Sequence, residues 1–147
     1  MVEIRPLQAK EISQGIVGAI NELLSQLVST PRVVSQEELA NIVRQQGTRL
    51  YLAYEKSGVV GMLTAVVYHC PTRTSMMIED VVVDEEFRRL GIAKRLTMTA
   101  LDWARSHDVA TIDLTSNPTR TAAHELYRSL GFELRETGCY RLDLWKP

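Results

Sequence analysis

Apolar side chains recur at two periods along this chain, and the switches between them mark out its elements. Val2 to Arg5 is a short alternating run closed by Pro6, which predicts a first strand. Ile12, Ile16, Ile20, Leu23, Leu24 and Leu27 then fall at helical spacing, so residues 10–29 are expected to form an amphipathic helix that Pro31 ends. Ser35 with Glu38 three residues on has the form of a capping box. It predicts a second helix that buries Leu39, Ile42 and Val43 and stops at Gly47.

Arg49 to Tyr54 and Val59 to Tyr68 read as two strands joined by a tight turn at Lys56-Ser57-Gly58. A second turn spans His69 to Thr74, and Met76 to Val83 is the next strand. Its last residues, Val81-Val82-Val83, are continuously apolar, as in a strand covered on both faces. Alternation along it sends Glu79 and Asp80 to opposite faces. Ile92, Leu96, Ala100 and Trp103 share a helical face.

Thr111 to Thr115 alternates as a strand. Asn117 then stands as an N-cap, with Pro118 at the first position of a helix lined by Ala122, Ala123, Leu126, Tyr127 and Leu130 and ended by Gly131. Phe132 to Arg135 and Tyr140 to Leu144 predict two last strands joined at Thr137-Gly138. The order is β-α-α-β-β-β-α-β-α-β-β, a mixed sheet with helices packed on it, without repeats or linkers.

Composition narrows the function classes. The 147 residues are 45% hydrophobic and 24% charged, enough to build the core of one domain, taken as residues 1–147. A net charge of -1 gives no general attraction to nucleic acid. Cys70 and Cys139 have no metal-ligand spacing, and neither a disulfide framework nor a metal site is expected. The first residues lack a signal-peptide pattern and no apolar run approaches a membrane span, so a cytoplasmic setting without membrane contact is expected.

Chemistry concentrates at Arg88-Arg89-Leu90-Gly91-Ile92-Ala93, between an apolar strand and a helix. The first N–H groups of a helix have no partner within it and carry the positive end of the dipole. An anion can rest on them, Gly91 lets it approach the backbone, and the arginines add charge beside it. The same residues also suit a plain surface turn. A P-loop is disfavoured by the missing Gly-Lys-Ser/Thr ending, and a dinucleotide fold by the missing second glycine.

This loop matches Arg/Gln-x-x-Gly-x-Gly/Ala, and Ala123 to Phe132 matches A-x-x-L-Y-x-x-x-G-F. With both motifs in order on the right elements, the chain resembles the GCN5-related N-acetyltransferases, the GNAT superfamily, over nearly its whole length. The resemblance implies an α/β (α+β) GNAT fold, a mixed central sheet of about six to seven strands flanked by about four helices. It implies acetyl-CoA as cosubstrate, direct acyl transfer from its thioester to an amine, and no metal. Arg88, Arg89, Leu90, Gly91, Ile92, Ala93 and Lys94 would hold the coenzyme's pyrophosphate, and the backbones of Val81, Val82 and Val83 its pantetheine arm, admitted where two strands splay. A backbone N–H near Val82 would steady the oxyanion.

The run Ile78-Glu79-Asp80 resembles glucosamine-phosphate acetyltransferases, which implies Glu79 as the base that deprotonates the amine; an exposed strand residue is the alternative. Tyr127 would protonate or hydrogen-bond the leaving thiolate; a core tyrosine is the alternative. A thiol near ~8.5 and a phenol near ~10 make full transfer uphill by roughly 2 kcal/mol. Where family members carry an asparagine seven residues before the tyrosine, this chain has Arg120, with Asn117 three residues earlier. Either Arg120 meets a coenzyme phosphate or Asn117 caps the helix; both are counted among the cofactor candidates.

His69, His107 and His124 read as solvated or helix-end histidines, Trp103 as core, and Glu85 and Glu86 as surface charges. The acceptor, a small-molecule amine or a protein amino group, would sit against the first two helices, the 69–74 turn and the last hairpin near Gly138 and Tyr140. Many family members pair through their last strands, so a homodimer is a further expectation. A non-catalytic acyl-CoA-binding sensor or interaction module is the competing function class.

Overall fold

The computed structural model describes residues 1–145. Residues 1–115 form one compact unit and residues from 116 onward a second, each taken by itself below.

In the first unit, β1 (Glu3–Pro6), β2 (Thr48–Glu55), β3 (Gly58–Cys70), β4 (Arg73–Val83) and β5 (Thr111–Leu114) stand side by side in the order β1-β2-β3-β4-β5. The first three pairings are antiparallel and β4–β5 is parallel. Short turns can only make antiparallel neighbours. The parallel return to β5 needs the crossover that α3 (Ile92–Arg105) supplies. α1 (Gln14–Leu27) and α2 (Gln36–Arg44) precede β2.

Cross-strand partners share a face, so the register sorts the sheet. Leu52 opposite Met62, with Leu50 and Val82, packs under Ile20, Leu23 and Leu39 of α1 and α2. The other face carries Gly61, where a Cβ would lie 3.3 Å from Leu96 Cδ1 and 3.4 Å from Ile92 Cγ2. α3 therefore rides directly on the β3 backbone, and it buries Ile92, Leu96, Ala100, Leu101 and Ala104.

Helix starts follow their caps. Ser35 Oγ accepts from Glu38 N–H and the Glu38 carboxylate accepts from Ser35 N–H, the predicted reciprocal pair. α1 begins at Gln14 rather than residue 10. Arg5 pairs with Glu11, which also receives Gln8 N–H, and this holds Ala9–Glu11 as a separate 3-10 turn. α2 stops at Arg44, short of Gly47. Gly47 instead exchanges close contacts with β3: its carbonyl accepts from Val67 N–H at 2.7 Å, and a Cβ there would fall 2.5 Å from the Val67 carbonyl oxygen.

The second unit holds α4 (Thr121–Ser129). Its N-cap is Arg120, so Asn117 and Pro118 lie outside the helix, contrary to expectation. Asn117 Oδ1 accepts from Thr119 N–H at 3.0 Å and Thr119 Oγ1 at 2.8 Å. This Asx-type turn competes with helix and delays its start. The expected strands at Phe132–Arg135 and Tyr140–Leu144 are absent, so the described residues hold five strands, not about six to seven. Leu134, Tyr140, Leu142 and Leu144 stay exposed. Alternation makes a strand only where an edge takes up the N–H and C=O groups, and none of the described residues pairs with these. Among the described residues no helix is long and apolar enough to cross a membrane.

Candidate active site

The candidate site is built where β4 parts from β5 while staying paired with β3. β4 and β5 are paired from Ser75 opposite Thr111 to Ile78 opposite Leu114, and there the pairing ends. Glu79 to Val83 continue β4 with their β5-side edge free of that strand. A polar backbone edge beside a buried apolar run is a place for an extended ligand to add itself as a strand. Val82 and Val83 are buried and Val81 is half-buried. The Val83 carbonyl accepts Arg88 Nε at 3.0 Å, so Arg88 is folded back onto the strand and its Nε is spent on shaping the turn.

The strand is also bulged. Met62 faces Val82 and Thr64 faces Glu79, so Asp80 and Val81 together oppose Leu63. Asp80 takes up the extra residue at φ +50, a left-handed conformation that aspartate tolerates better than most side chains. Simple alternation therefore no longer fixes the face of Asp80, although the sequence expectation relied on it. The register does assign Glu79. It shares a face with Thr64, which stands opposite Leu50, on the side covered by α1 and α2, and it is exposed there.

Asp80 keeps solvent-accessible surface, yet the surrounding chain desolvates its carboxyl and raises its pKa above the ordinary value. A carboxyl whose pKa rises on folding binds its proton more tightly in the folded state. Its contribution to stability is present at low pH and is lost as pH rises through the raised pKa. Asp80→Asn, which suits the same φ, is therefore expected to raise the melting temperature at neutral pH. The gain should shrink to nothing as pH falls below about 4. Melting curves across the acid range check this; a gain that is constant with pH would contradict it.

Beyond β4, Asp84 caps a 3-10 turn over Glu85–Phe87, and the chain then turns through Arg89 at φ +63 and Gly91 at φ +77. Alternating left-handed residues gather successive N–H groups into a concave nest. Gly91 is the N-cap of α3 and has no side chain to satisfy them. The first turn of α3 contains no acid; Lys94 and Arg95 stand there instead, with Arg88 and Arg89 just before. Cations at the positive end of a helix dipole cost stability until an anion joins them. Leu90 is 67% exposed, so the turn stands open. Ile92 is buried and Ala93 half-buried, leaving backbone rather than side chain on offer.

Asn117, Arg120 and Tyr127 belong to the second unit. Arg120 is exposed. The Asn117 carbonyl receives His124 Nε2 at 3.0 Å, which makes His124 a structural donor. The Tyr127 phenol is pushed above its ordinary pKa by burial, and Arg120 only partly opposes this. Phe132 N–H donates to the Tyr127 carbonyl at 3.0 Å and Gly131 N–H to the Arg128 carbonyl at 3.0 Å, with Gly131 at φ +95. These bonds form a Schellman stop, and the Phe132 ring packs edge-on against Tyr127 at 5.8 Å. The Tyr-x-x-x-Gly-Phe part of the motif is thus a helix terminator that also fixes the tyrosine ring.

The remaining histidines are engaged elsewhere. His69 Nδ1 is 3.0 Å from Thr74 Oγ1, and His107 Nδ1 is 2.8 Å from the Trp103 carbonyl. The His107 ring stacks on Trp103, whose indole also packs against the Arg49 guanidinium.

Known proteins resemble this chain in sequence and in fold. The sequence model of the acetyltransferase (GNAT) family matches residues 19–132. Human N-acetyltransferase 8 is 32% identical over 103 residues, 69% of this chain and 44% of that protein; the chain thus spans less than half of that relative's length. Glucosamine 6-phosphate N-acetyltransferase of Trypanosoma brucei brucei is 30% identical over 98% of this chain and 100% of its own. The crystal structure of a Trypanosoma brucei acetyltransferase superposes with a TM-score of 0.80 at 30% identity, covering 98% of this chain and all of that one. With a free β4 edge leading into a glycine-capped helix start, and a family match across most of its length, the chain belongs to the GNAT acetyltransferase family.

Proposed function

We propose that the protein is an acetyl-CoA-dependent N-acetyltransferase that moves the acetyl group directly to an amine. The observation that carries this reading is the end of β4–β5 pairing at Ile78 opposite Leu114, which frees the Glu79–Val83 edge just before the Arg88–Lys94 turn. An extended arm with an anionic end fits that combination: backbone for the arm, a nest and a helix start for the phosphates. The family match from 19 to 132 supports reading residues 1–147 as one acetyltransferase domain.

In this mechanism, Arg89, Leu90, Gly91, Ile92, Ala93 and Lys94 hold the pyrophosphate, with Arg88 shaping their turn, and Val81, Val82 and Val83 hold the pantetheine arm. Arg120 and Asn117 are further candidates for coenzyme contact. Glu79 takes the proton from the incoming ammonium, since only the neutral amine has a lone pair for attack. An N–H near Val82 donates to the carbonyl oxygen as negative charge gathers on it. Tyr127 attends the departing sulfur. Its raised pKa widens the gap to a thiol, so Tyr127 acts by donating a hydrogen bond rather than by giving up its proton outright.

Tyr127→Phe should then lower kcat by about 10- to 100-fold, in keeping with the loss of one hydrogen bond to a charged group. The acetyl-CoA dissociation constant should stay within about twofold, because ring packing on Phe132 is retained. Steady-state rates beside calorimetry separate the two effects. An unchanged kcat would return Tyr127 to a packing role.

The acceptor is proposed to be an amine on the α1–α2 side of the sheet, where Glu79 is exposed. The relative named glucosamine 6-phosphate N-acetyltransferase makes that amino sugar phosphate the first to try, followed by amino acids, aminoglycosides and peptide amines. Incubation of the purified protein with acetyl-CoA and each amine, read by thiol release and by mass of the acetylated product, tests the reading. Binding of acetyl-CoA with no transfer across the panel would favour the second reading, a non-catalytic acyl-CoA sensor. A cytoplasmic setting and a homodimer belong to the same proposal.

A further inference from the structure

Helix α1 carries two carboxamide side chains that each use both ends of the amide. Asn21 Nδ2 donates to the Val34 carbonyl at 3.0 Å, and Asn21 Oδ1 accepts from Val34 N–H at 2.9 Å. Five residues on, Gln26 Nε2 donates to Asp84 Oδ2 at 3.1 Å, and Gln26 Oε1 accepts from Glu85 N–H at 2.9 Å. The first pair ties down the 28–35 connector between α1 and α2. The second reaches across the fold to the segment between β4 and the phosphate turn.

Asp84, which the Gln26 tie reaches, is itself held on several sides. Its N–H donates to the Val60 carbonyl of β3 at 2.9 Å, and its Oδ1 accepts from Glu86 N–H at 3.0 Å. Its carbonyl accepts from Phe87 N–H at 2.9 Å. The turn that follows has no strand pairing of its own and contains Arg89 in a left-handed conformation that costs energy for a non-glycine residue. Such a conformation persists only where the surroundings hold it, and Gln26 supplies two of the holding bonds.

We propose that Gln26 is a positioning residue for the phosphate turn, and that through α1 it couples coenzyme seating in that turn to the order of the 28–35 connector. The inference rests on the acetyltransferase reading of the turn. Gln26 is uncharged, so its effect is geometric and not an attraction to phosphate. α1 is a continuous helix of 14 residues seated on the core by Ile20 and Leu23, and it carries the Asn21 and Gln26 ties on one body. By reciprocity, whatever the turn gains from an ordered connector, the connector gains from an occupied turn. That connector lies beside the helices expected to face the acceptor, so the same link would let coenzyme binding prepare the acceptor side.

Hydrogen exchange read by mass spectrometry, with coenzyme A as the probe and calorimetry beside it, tests this on wild type and Gln26→Leu. In wild type, coenzyme A should slow exchange both at residues 84–91 and at residues 28–35. In Gln26→Leu the dissociation constant should rise about five- to tenfold, the protection at 28–35 should vanish, and that at 84–91 should remain. Should Gln26→Leu fail to fold, Gln26→Glu keeps the acceptor for Glu85 N–H while losing the donor to Asp84, and is expected to change in the same direction. The proposal is overturned if coenzyme A leaves 28–35 unaffected in wild type, or if the variant keeps that protection and its affinity. Absence of any coenzyme A binding by wild type is a different result, and it sinks the acetyltransferase reading along with this one.

Discussion

Gly91→Glu is expected to weaken coenzyme A binding by about 100-fold while leaving the fold intact. Two costs combine. Gly91 sits at φ +77, where any L side chain is strained by about 1–2 kcal/mol. The new carboxylate would also occupy the positive end of the α3 dipole and meet the incoming phosphates with like charge, worth about another 1–2 kcal/mol. The strain falls on binding because the free turn can relax out of a conformation that the seated phosphates require, so the two costs together come to about 2–4 kcal/mol, around the roughly 2.8 kcal/mol that corresponds to two decades of affinity. No heavy atom lies within 4 Å of the Cβ position, so the first side-chain carbon meets no neighbour, and folding should survive. Gly91→Ala isolates the strain and should cost no more than about tenfold. Calorimetric titration of both variants separates the terms; equal losses would show that conformation alone matters.

The second large effect is expected at Glu79. Glu79→Gln keeps size and hydrogen-bonding capacity but cannot take a proton at neutral pH. A general base contributes about 100- to 10,000-fold, so kcat should fall by at least about 100-fold once a transferring acceptor is found. The affinity for acetyl-CoA should hardly change, because Glu79 faces the α1–α2 side of β4 and not the phosphate turn. A drop confined to binding would reassign Glu79 to coenzyme positioning. A kcat close to wild type would move the proton acceptor elsewhere, with Asp80 in the neighbouring bulge position the next residue to replace.

Much of the architecture was legible because local chemistry and global fold agree. The Ser35–Glu38 pair announced α2, and the Lys56-Ser57-Gly58 turn announced the β2–β3 hairpin. The apolar Val81–Val83 run leading to Arg88–Gly91 announced a strand that runs into a glycine-capped helix start. These signals span a few residues each, within reach of a pattern. The family resemblance rested on two such local signals in order on the right elements, and the match over residues 19–132 shows the family.

What the pattern missed depends on partners distant in sequence. The bulge at Asp80 is invisible to a period of two, because it appears only when Leu63 on the neighbouring strand is seen to face two residues. Alternation predicted strands at 132–135 and 140–144, but periodicity reports which face would be buried, not whether an edge stands ready to pair. Asn117 followed by Pro118 has the form of a helix start, yet the Asx turn to Thr119 captured the cap acceptor first. Gln26 reads as one more polar position on an amphipathic helix; its partner Asp84 lies 58 residues away. Of the candidate site, the turn and the strand were legible from sequence. The bulged left-handed Asp80 and the Gln26–Asp84 tie came only with the fold.

The most direct test of the central claim is a calorimetric titration of acetyl-CoA and of coenzyme A into the purified wild-type protein, with Gly91→Glu titrated under the same conditions. Micromolar binding of both ligands by wild type and its loss in the variant is the expected result. A folded wild-type protein that binds neither would contradict it, leaving the fold of an acetyltransferase without its coenzyme.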